Sequence, residues 1–378
     1  MYHRVLNLQD TLNKRSLFLF GPRATGKTTL VRSQLPDARY YDLLNNDTYS
    51  RLLRRPTLIG EETTARDVVV IDEVQKLPAV LDEVHRLIAD RDQRFVLTGS
   101  SARKIKHGAA NLLAGRARRL ELFPLVAAEV PDFSFETWSR TGGLPFLYGD
   151  PEAPIDLTSY VDLYLREEIQ AEALTRNVQG FAHLLDALAV SNGEELNYAA
   201  IASDTGLPAK TVAFWIEILE DTLLAFRLPV FQKTKKRKAT TRPKLWFFDI
   251  GVVNALRRSF PETPPPEYVG KALEHLVVLE TRAWLSYRSR LEQLSYWRSR
   301  SGFEVDLLIG DRVAVEVKAT TLVADKHLKG IRAFREDSPH VRAIVVSRDP
   351  TMRVTDDGIE IIPWRAYLRQ LESGAIPG

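Results

Sequence analysis

Residues 21 to 28 read Gly-Pro-Arg-Ala-Thr-Gly-Lys-Thr, two glycines with four residues between them, followed at once by an ammonium and a hydroxyl. That spacing suits a polyphosphate: the glycines let backbone N–H groups curl inward, Lys27 sets a cation on the terminal phosphates, and Thr28 offers its oxygen to Mg²⁺. Gly21, Pro22, Arg23, Ala24, Thr25, Gly26, Lys27, Thr28 and Thr29 are therefore the expected nucleotide-binding set. The partner of such a loop is an apolar strand ending in carboxylates, supplied by Val68-Val-Val-Ile-Asp-Glu73. Asp72 is expected to hold Mg²⁺, and Glu73 to polarise the attacking water as general base. Thr98, in Arg94-Phe-Val-Leu-Thr-Gly-Ser100, is a candidate γ-phosphate sensor, with Ser100 as its rival. Arg116, in Leu-Leu-Ala-Gly-Arg, is a candidate arginine finger acting across a subunit boundary, with Arg103, Arg118 and Arg119 as competitors.

A second set of acids lies near the C-terminus. Glu304-Val-Asp306-Leu-Leu-Ile, a turn at Gly310-Asp311, and Val313-Ala-Val-Glu316-Val-Lys318 read as a hairpin in which side chains alternate between faces. Asp306 and Glu316 can then share a metal beside Lys318, the donor set that metal-dependent phosphodiester cleavage uses. Glu280 joins this set as a possible ligand by helical periodicity, since Leu273, Leu276, Val277 and Trp284 share its face. Between the two acidic sites runs Gln232-Lys-Thr-Lys-Lys-Arg-Lys-Ala-Thr-Thr-Arg-Pro-Lys244, with seven cations and no acid. Lys233, Lys235, Lys236, Arg237, Lys238, Arg242 and Lys244 form the expected contact to DNA phosphates, salt-dependent and indifferent to sequence.

These residues require elements to hold them. Ser16-Leu-Phe-Leu-Phe20 is an uncharged run ending at Gly21, as a buried parallel strand should be. Three helical stretches near 181–190, 197–206 and 209–222, then a strand, give the winged-helix order. The third helix carries Phe214, Trp215, Ile218 and Leu219 and is expected to pack rather than read bases. Proline-rich stretches at 151–155 and 261–266 mark boundaries, so three modules are expected: 1–150, 151–260 and 261–378.

With 52 basic against 49 acidic residues, any nucleic-acid surface must come from local clustering rather than a polycationic chain. The absence of cysteine excludes disulfides, thiol nucleophiles and zinc fingers. No apolar run reaches membrane-spanning length, so no membrane partner is expected and a cytoplasmic location is.

The order GPRATGKT, VVVIDEVQKLPAVLDEVHRLI, FVLTGSSA, LLAGR and Gly142-Gly-Leu-Pro145 resembles bacterial and archaeal AAA-type ATPases that carry a C-terminal domain of unknown function. The resemblance implies an α/β multidomain protein with a P-loop AAA-type ATPase core, a winged-helix-like middle module and a C-terminal restriction-endonuclease-like domain. It further implies ATP and Mg²⁺ as cofactors, DNA as partner and a ring-like homo-oligomer. Asp306 followed by Glu316-x-Lys318 resembles the PD-(D/E)XK nuclease signature, with Val305 where a proline often stands. Gly270-Lys-Ala-Leu-Glu274 matches the preceding helix of Holliday-junction resolvases in that superfamily. The match implies Glu274 as the third ligand of Mg²⁺ or Mn²⁺ and a deoxyribonuclease activity, with a catalytically silent nuclease fold on a nucleotide-switched DNA platform as the alternative.

Overall fold

The computed structural model describes residues 2–101, 113, 115–165, 177–234 and 236–377. The chain divides into two compact units: 1–125 with 217–224, and 126–216 with 225–378. The middle and C-terminal segments of the three-module reading thus fall largely in one unit.

The first unit is built on a parallel sheet of β1 (Ser16–Phe20), β2 (Arg39–Asp42), β3 (Val68–Asp72), β4 (Arg94–Gly99) and β5 (Ala117–Glu121), in the order β2-β3-β4-β1-β5. All five residues of β1 are buried, which is why the run lacks the polar alternation of a half-solvated strand. The helix Val80–Arg91 buries Val80, Leu81, Val84, Leu87 and Ile88, a spacing that puts one apolar stripe on the sheet. With Phe18, Ile71, Phe95 and Leu97 these side chains form the unit's core. The parallel register brings Phe20, Asp72 and Gly99 to a common carboxyl edge, where α/β sheets bind ligands.

The second unit holds the helices Val178–Val190 and Tyr198–Thr205 and the start of the helix Ala209–Asp221. An antiparallel pair follows, β6 (Ala225–Leu228) with β7 (Lys244–Phe247). The order of three helices and then a strand is the one read from the sequence. Trp215, Ile218 and Leu219 are buried as expected of a packing helix; Phe214 departs from that expectation and is 44% exposed.

A six-stranded sheet completes the unit: β8 (Leu294–Arg298), β9 (Glu304–Ile309), β10 (Val313–Lys318), β11 (Arg342–Ser347), β12 (Arg353–Val354) and β13 (Glu360–Pro363), in the order β12-β13-β11-β10-β9-β8. β8, β9 and β10 run antiparallel, whereas β10, β11 and β13 are parallel. The long helix Pro266–Tyr287 buries Leu273, Leu276, Val277, Glu280 and Trp284 together, as its periodicity demanded.

Candidate functional site

In the loop after β1, a Cβ on Gly21 would stand 2.4 Å from the Leu122 carbonyl, so only glycine fits. Gly26 has φ 90°, the left-handed turn from which the helix Lys27–Gln34 starts. Lys27 is buried, its ammonium donating to the carbonyls of Gly21 (2.8 Å) and Pro22 (3.1 Å). Thr25 donates to the Pro22 carbonyl. From outside the motif, Arg4 donates to the carbonyls of Thr25 and Phe123, both at 2.6 Å, and ties the loop to the chain after β5. Arg23 and Thr29 are exposed at the rim of the loop.

Asp72, at the end of β3, is the hub. Its Oδ2 accepts from Thr28 at 2.9 Å and from the Tyr40 phenol, and its Oδ1 accepts from Thr98. Thr98 Oγ1 in turn accepts from the Glu73 N–H at 3.1 Å. The hydroxyl of the expected γ-phosphate sensor, fully buried, thus bridges the Asp72 carboxylate and the Glu73 N–H. Glu73 lies at φ 59°, and its carboxylate accepts from Gln75, which also donates to Ser100. Burial, with the Asp72 carboxylate beside it, pushes the Tyr40 phenol above its ordinary range. Thr28 and Asp72 together present hard oxygen donors suited to Mg²⁺, an ion that commonly takes one or two protein oxygens and completes its shell with phosphate and water. Arg4, Tyr40 and Gln75 escaped sequence reasoning because no spacing rule links them to the loop. The guanidinium of Arg116 lies against His85; Arg118 and Arg119 are exposed, the latter 5.4 Å from the Phe20 ring centroid. Arg103 and Asn111-Leu112 lie outside the described residues.

In the second unit the β9–β10 hairpin sets Ala314 opposite Leu308, and that register, continued, sets Glu316 opposite Asp306. Both acids are buried. Asp306 Oδ2 accepts from the Val317 N–H at 2.7 Å, and Lys318 donates to Glu316. Burial pushes the Glu316 carboxyl well above its usual value, Asp306 adds to this, and Lys318 opposes it.

Lys244 corrects the sequence reading. Instead of meeting DNA it is 4% exposed at the start of β7, paired with Glu274 at 2.9 Å and Glu304 at 2.7 Å. Although burial alone would lower its pKa, Glu274, Asp306 and Glu304 hold it well above the ordinary lysine value. Glu274, with its carboxyl pushed up to about 7 by burial against the pull of Lys244, is thus bound to an ammonium. Among the described residues no three His, Asp or Glu side chains are arranged to hold a metal; the expected set of Glu274, Asp306 and Glu316 does not fit one ion in this arrangement.

The rest of the basic run is split. Lys233 lies 3.6 Å from Asp311, Arg237 pairs with Glu336 at 3.0 Å, and Asp337 accepts the Lys236 N–H. Lys236, Lys238 and Arg242 have exposed side chains, and Lys235 lies outside the described residues.

Glu280, the rival ligand, sits elsewhere. It accepts the Ala127 N–H at 2.6 Å, and burial pushes its carboxyl up to about 8. A folded pKa raised above the unfolded one contributes stability that is complete below about pH 4.5 and lost as pH rises through 8. Glu280→Gln is therefore expected to remove a loss of roughly 3 to 5 kcal/mol between pH 5 and pH 9, read from urea unfolding at the two pH values. Equal pH dependence in parent and variant would show that this carboxyl ionises freely in the fold.

Residues 13–130 match the family described as AAA domain. Residues 133–263 and 269–367 match two domains of unknown function, DUF8612 and DUF4143. The uncharacterized protein Rv2008c of Mycobacterium tuberculosis is 25% identical over 323 residues, covering 81% of this chain and 70% of that protein. The uncharacterized protein MJ1544 of Methanocaldococcus jannaschii is 25% identical over 334 residues, 78% of this chain and 72% of its own. Among solved structures, the Aeropyrum pernix ORC2 protein overlaps 66% of this chain and 90% of its own at 13% identity and a TM-score of 0.33. The Thermotoga maritima RuvB Holliday junction branch migration motor overlaps 59% and 90% at 17% identity and a TM-score of 0.28. Structural overlaps of that size carry no inference about function. The parallel sheet, its phosphate loop and the family match together define residues 13–130 as an AAA-type ATPase domain. Among the described residues no helix is long and apolar enough to cross a membrane.

Proposed function

We propose that the chain hydrolyses ATP with Mg²⁺ in its first unit and couples that hydrolysis to action on DNA through its second. The observation that carries the first half is the 2.9 Å contact between the Thr28 hydroxyl and the Asp72 carboxylate, which joins the phosphate loop to the acidic strand end. Lys27 and the loop N–H groups bind the phosphates, Thr28 and Asp72 hold the ion, and Glu73 takes the proton of the attacking water. Bound Mg²⁺ neutralises charge on the transferred phosphoryl group. Arg116 serves a neighbouring copy's phosphate in a ring-like homo-oligomer.

DNA as partner is supported by the winged-helix order and by exposed cations of the basic segment, among them Lys236, Lys238 and Arg242. Changing Lys236, Lys238 and Arg242 to Gln is expected to weaken binding at all duplex sequences and to flatten its dependence on salt by up to about 0.9 per lost phosphate contact. DNA anisotropy titrations at several salt concentrations measure both, with ATP turnover recorded in the presence of DNA. Unchanged affinity and slope would make the segment a solvated loop.

A second reading, phosphodiester cleavage, is favoured by one observation: Asp306, Glu316 and Lys318 stand together, and Glu316 Oε2 is buried with no hydrogen-bond partner. Nicking of linear, forked or four-way DNA in Mg²⁺ or Mn²⁺ that disappears in Asp306→Ala would establish it. No cleavage of any of these substrates leaves the platform reading.

A further inference from the structure

Where the parallel strands β11 and β13 end, the register pairs Ser347 with Pro363. Beyond them opens a cavity of about 370 Å³ whose lining includes Arg348, Arg365, Arg369, Trp364, Met352 and Asp349. The carboxyl edge of parallel strands is where such sheets take ligands.

The charges here are arranged against the fold's own interest. Arg365 occupies the first turn of the helix Trp364–Ser373, which has no acidic residue in that turn and no side-chain cap. A cation there opposes the positive end of the helix dipole. Arg369 follows four residues later on the same face, a like-charge spacing that adds repulsion. Arg348 leads out of β11 into the same space. Among the described residues no carboxylate is ion-paired with any of the three. The cavity's own acid, Asp349, is already engaged: it accepts from the Val323 N–H at 3.0 Å and from Ser347 at 2.9 Å, and pairs with Arg353 at 3.2 Å.

The guanidinium of Arg365 is held in place. It donates to the Phe133 carbonyl at 3.2 Å and lies 4.4 Å from the Trp364 ring centroid. Three arginines lining one cavity, one with its guanidinium held in place and none ion-paired to a carboxylate among the described residues, offer charged donor forks suited to the several oxygens of a phosphoryl group.

We infer that this cavity binds a phosphoryl group, carried by a DNA strand or by a small phosphorylated compound. Its volume lies in the range of small-molecule sites and exceeds what a bare anion needs. The inference rests on the DNA reading only for the choice between those two carriers.

The test uses the full chain carrying Lys27→Ala, so that the phosphate loop contributes little. This protein is expected to broaden the ³¹P resonance of inorganic phosphate, and the added pair Arg348→Gln and Arg369→Gln to abolish the broadening at an unchanged thermal midpoint. The charge-keeping pair Arg348→Lys and Arg369→Lys should recover part of it, which separates lost recognition from lost folding. Single-stranded oligonucleotides with a 5′-phosphate or a 5′-hydroxyl then identify the carrier. A roughly tenfold loss of affinity in the Gln pair for both points to backbone phosphate, and a loss for the 5′-phosphorylated strand alone points to a terminal one. Loss of broadening with unchanged oligonucleotide affinity points to a small compound. If neither strand binds while phosphate does, the DNA reading fails and this one stands. Absence of broadening in the Lys27→Ala protein, or equal broadening in the Gln pair, overturns the inference.

Discussion

Replacing Lys244 with methionine is expected to destabilise the second unit by about 3 to 5 kcal/mol, because it leaves Glu274 and Glu304 without the ammonium that both now bind. The pair distances of 2.9 and 2.7 Å and the 4% exposure of Lys244 place this charge inside the fold. Methionine keeps the apolar stem and removes only the charge, so the loss is electrostatic rather than a cavity effect. Adding Glu274→Gln and Glu304→Gln to the Lys244→Met chain should recover most of the loss, since neutral amides need no cation. Urea unfolding followed by tryptophan fluorescence reads both steps. An unchanged midpoint accompanied by weaker DNA binding would return Lys244 to the surface role its neighbours in sequence suggested.

The second large effect concerns Asp72. Asp72→Asn preserves size and an acceptor oxygen for Thr28 and Tyr40, turns the atom beside Thr98 into an amide donor that the Thr98 hydroxyl can accept, and removes the charge that attracts Mg²⁺. Turnover is expected to fall by about a hundredfold or more, roughly 2.7 kcal/mol of transition-state stabilisation. Nucleotide binding without the metal, measured in EDTA, should change little, because Lys27 and the loop are untouched. A variant that turns over ATP at the parental rate and at the parental Mg²⁺ requirement would remove Asp72 from the metal site.

What could be read in advance divides along physical lines. The phosphate loop and the ends of β1 and β3 were legible because their chemistry demands fixed residue types at short, local spacing, and a fully buried parallel strand leaves a continuous apolar run. The face shared by Leu273, Leu276, Val277, Glu280 and Trp284 was legible for the same reason, one helix carrying its own period. Arg4 and Tyr40 were not, since each reaches the site across tens of residues of sequence and touches it through a carbonyl or a single oxygen. Lys244 shows how a local rule fails. Its seven-cation run reads as solvated, yet the residue opens the apolar strand Lys244-Leu-Trp-Phe247, and strand pairing decides its burial. The onset of that strand was the signal that could have separated Lys244 from Lys236 and Lys238. Thr98 was found by position, but the contacts of its hydroxyl to Asp72 and the Glu73 N–H were not, since they are a tertiary arrangement that no strand pattern specifies.

The central claim is that this loop and strand end hydrolyse ATP, with Glu73 as the base. It is tested most directly by mixing parental, Lys27→Ala and Glu73→Gln chains separately with radiolabelled ATP and Mg²⁺ and recording both phosphate release and nucleotide retained on the protein. The parental chain should release phosphate, Lys27→Ala should neither retain nor hydrolyse ATP, and Glu73→Gln should retain unhydrolysed ATP while releasing phosphate about 10² to 10⁴ times more slowly. Phosphate release by Glu73→Gln at the parental rate, or by Lys27→Ala at any rate near it, would contradict the assignment.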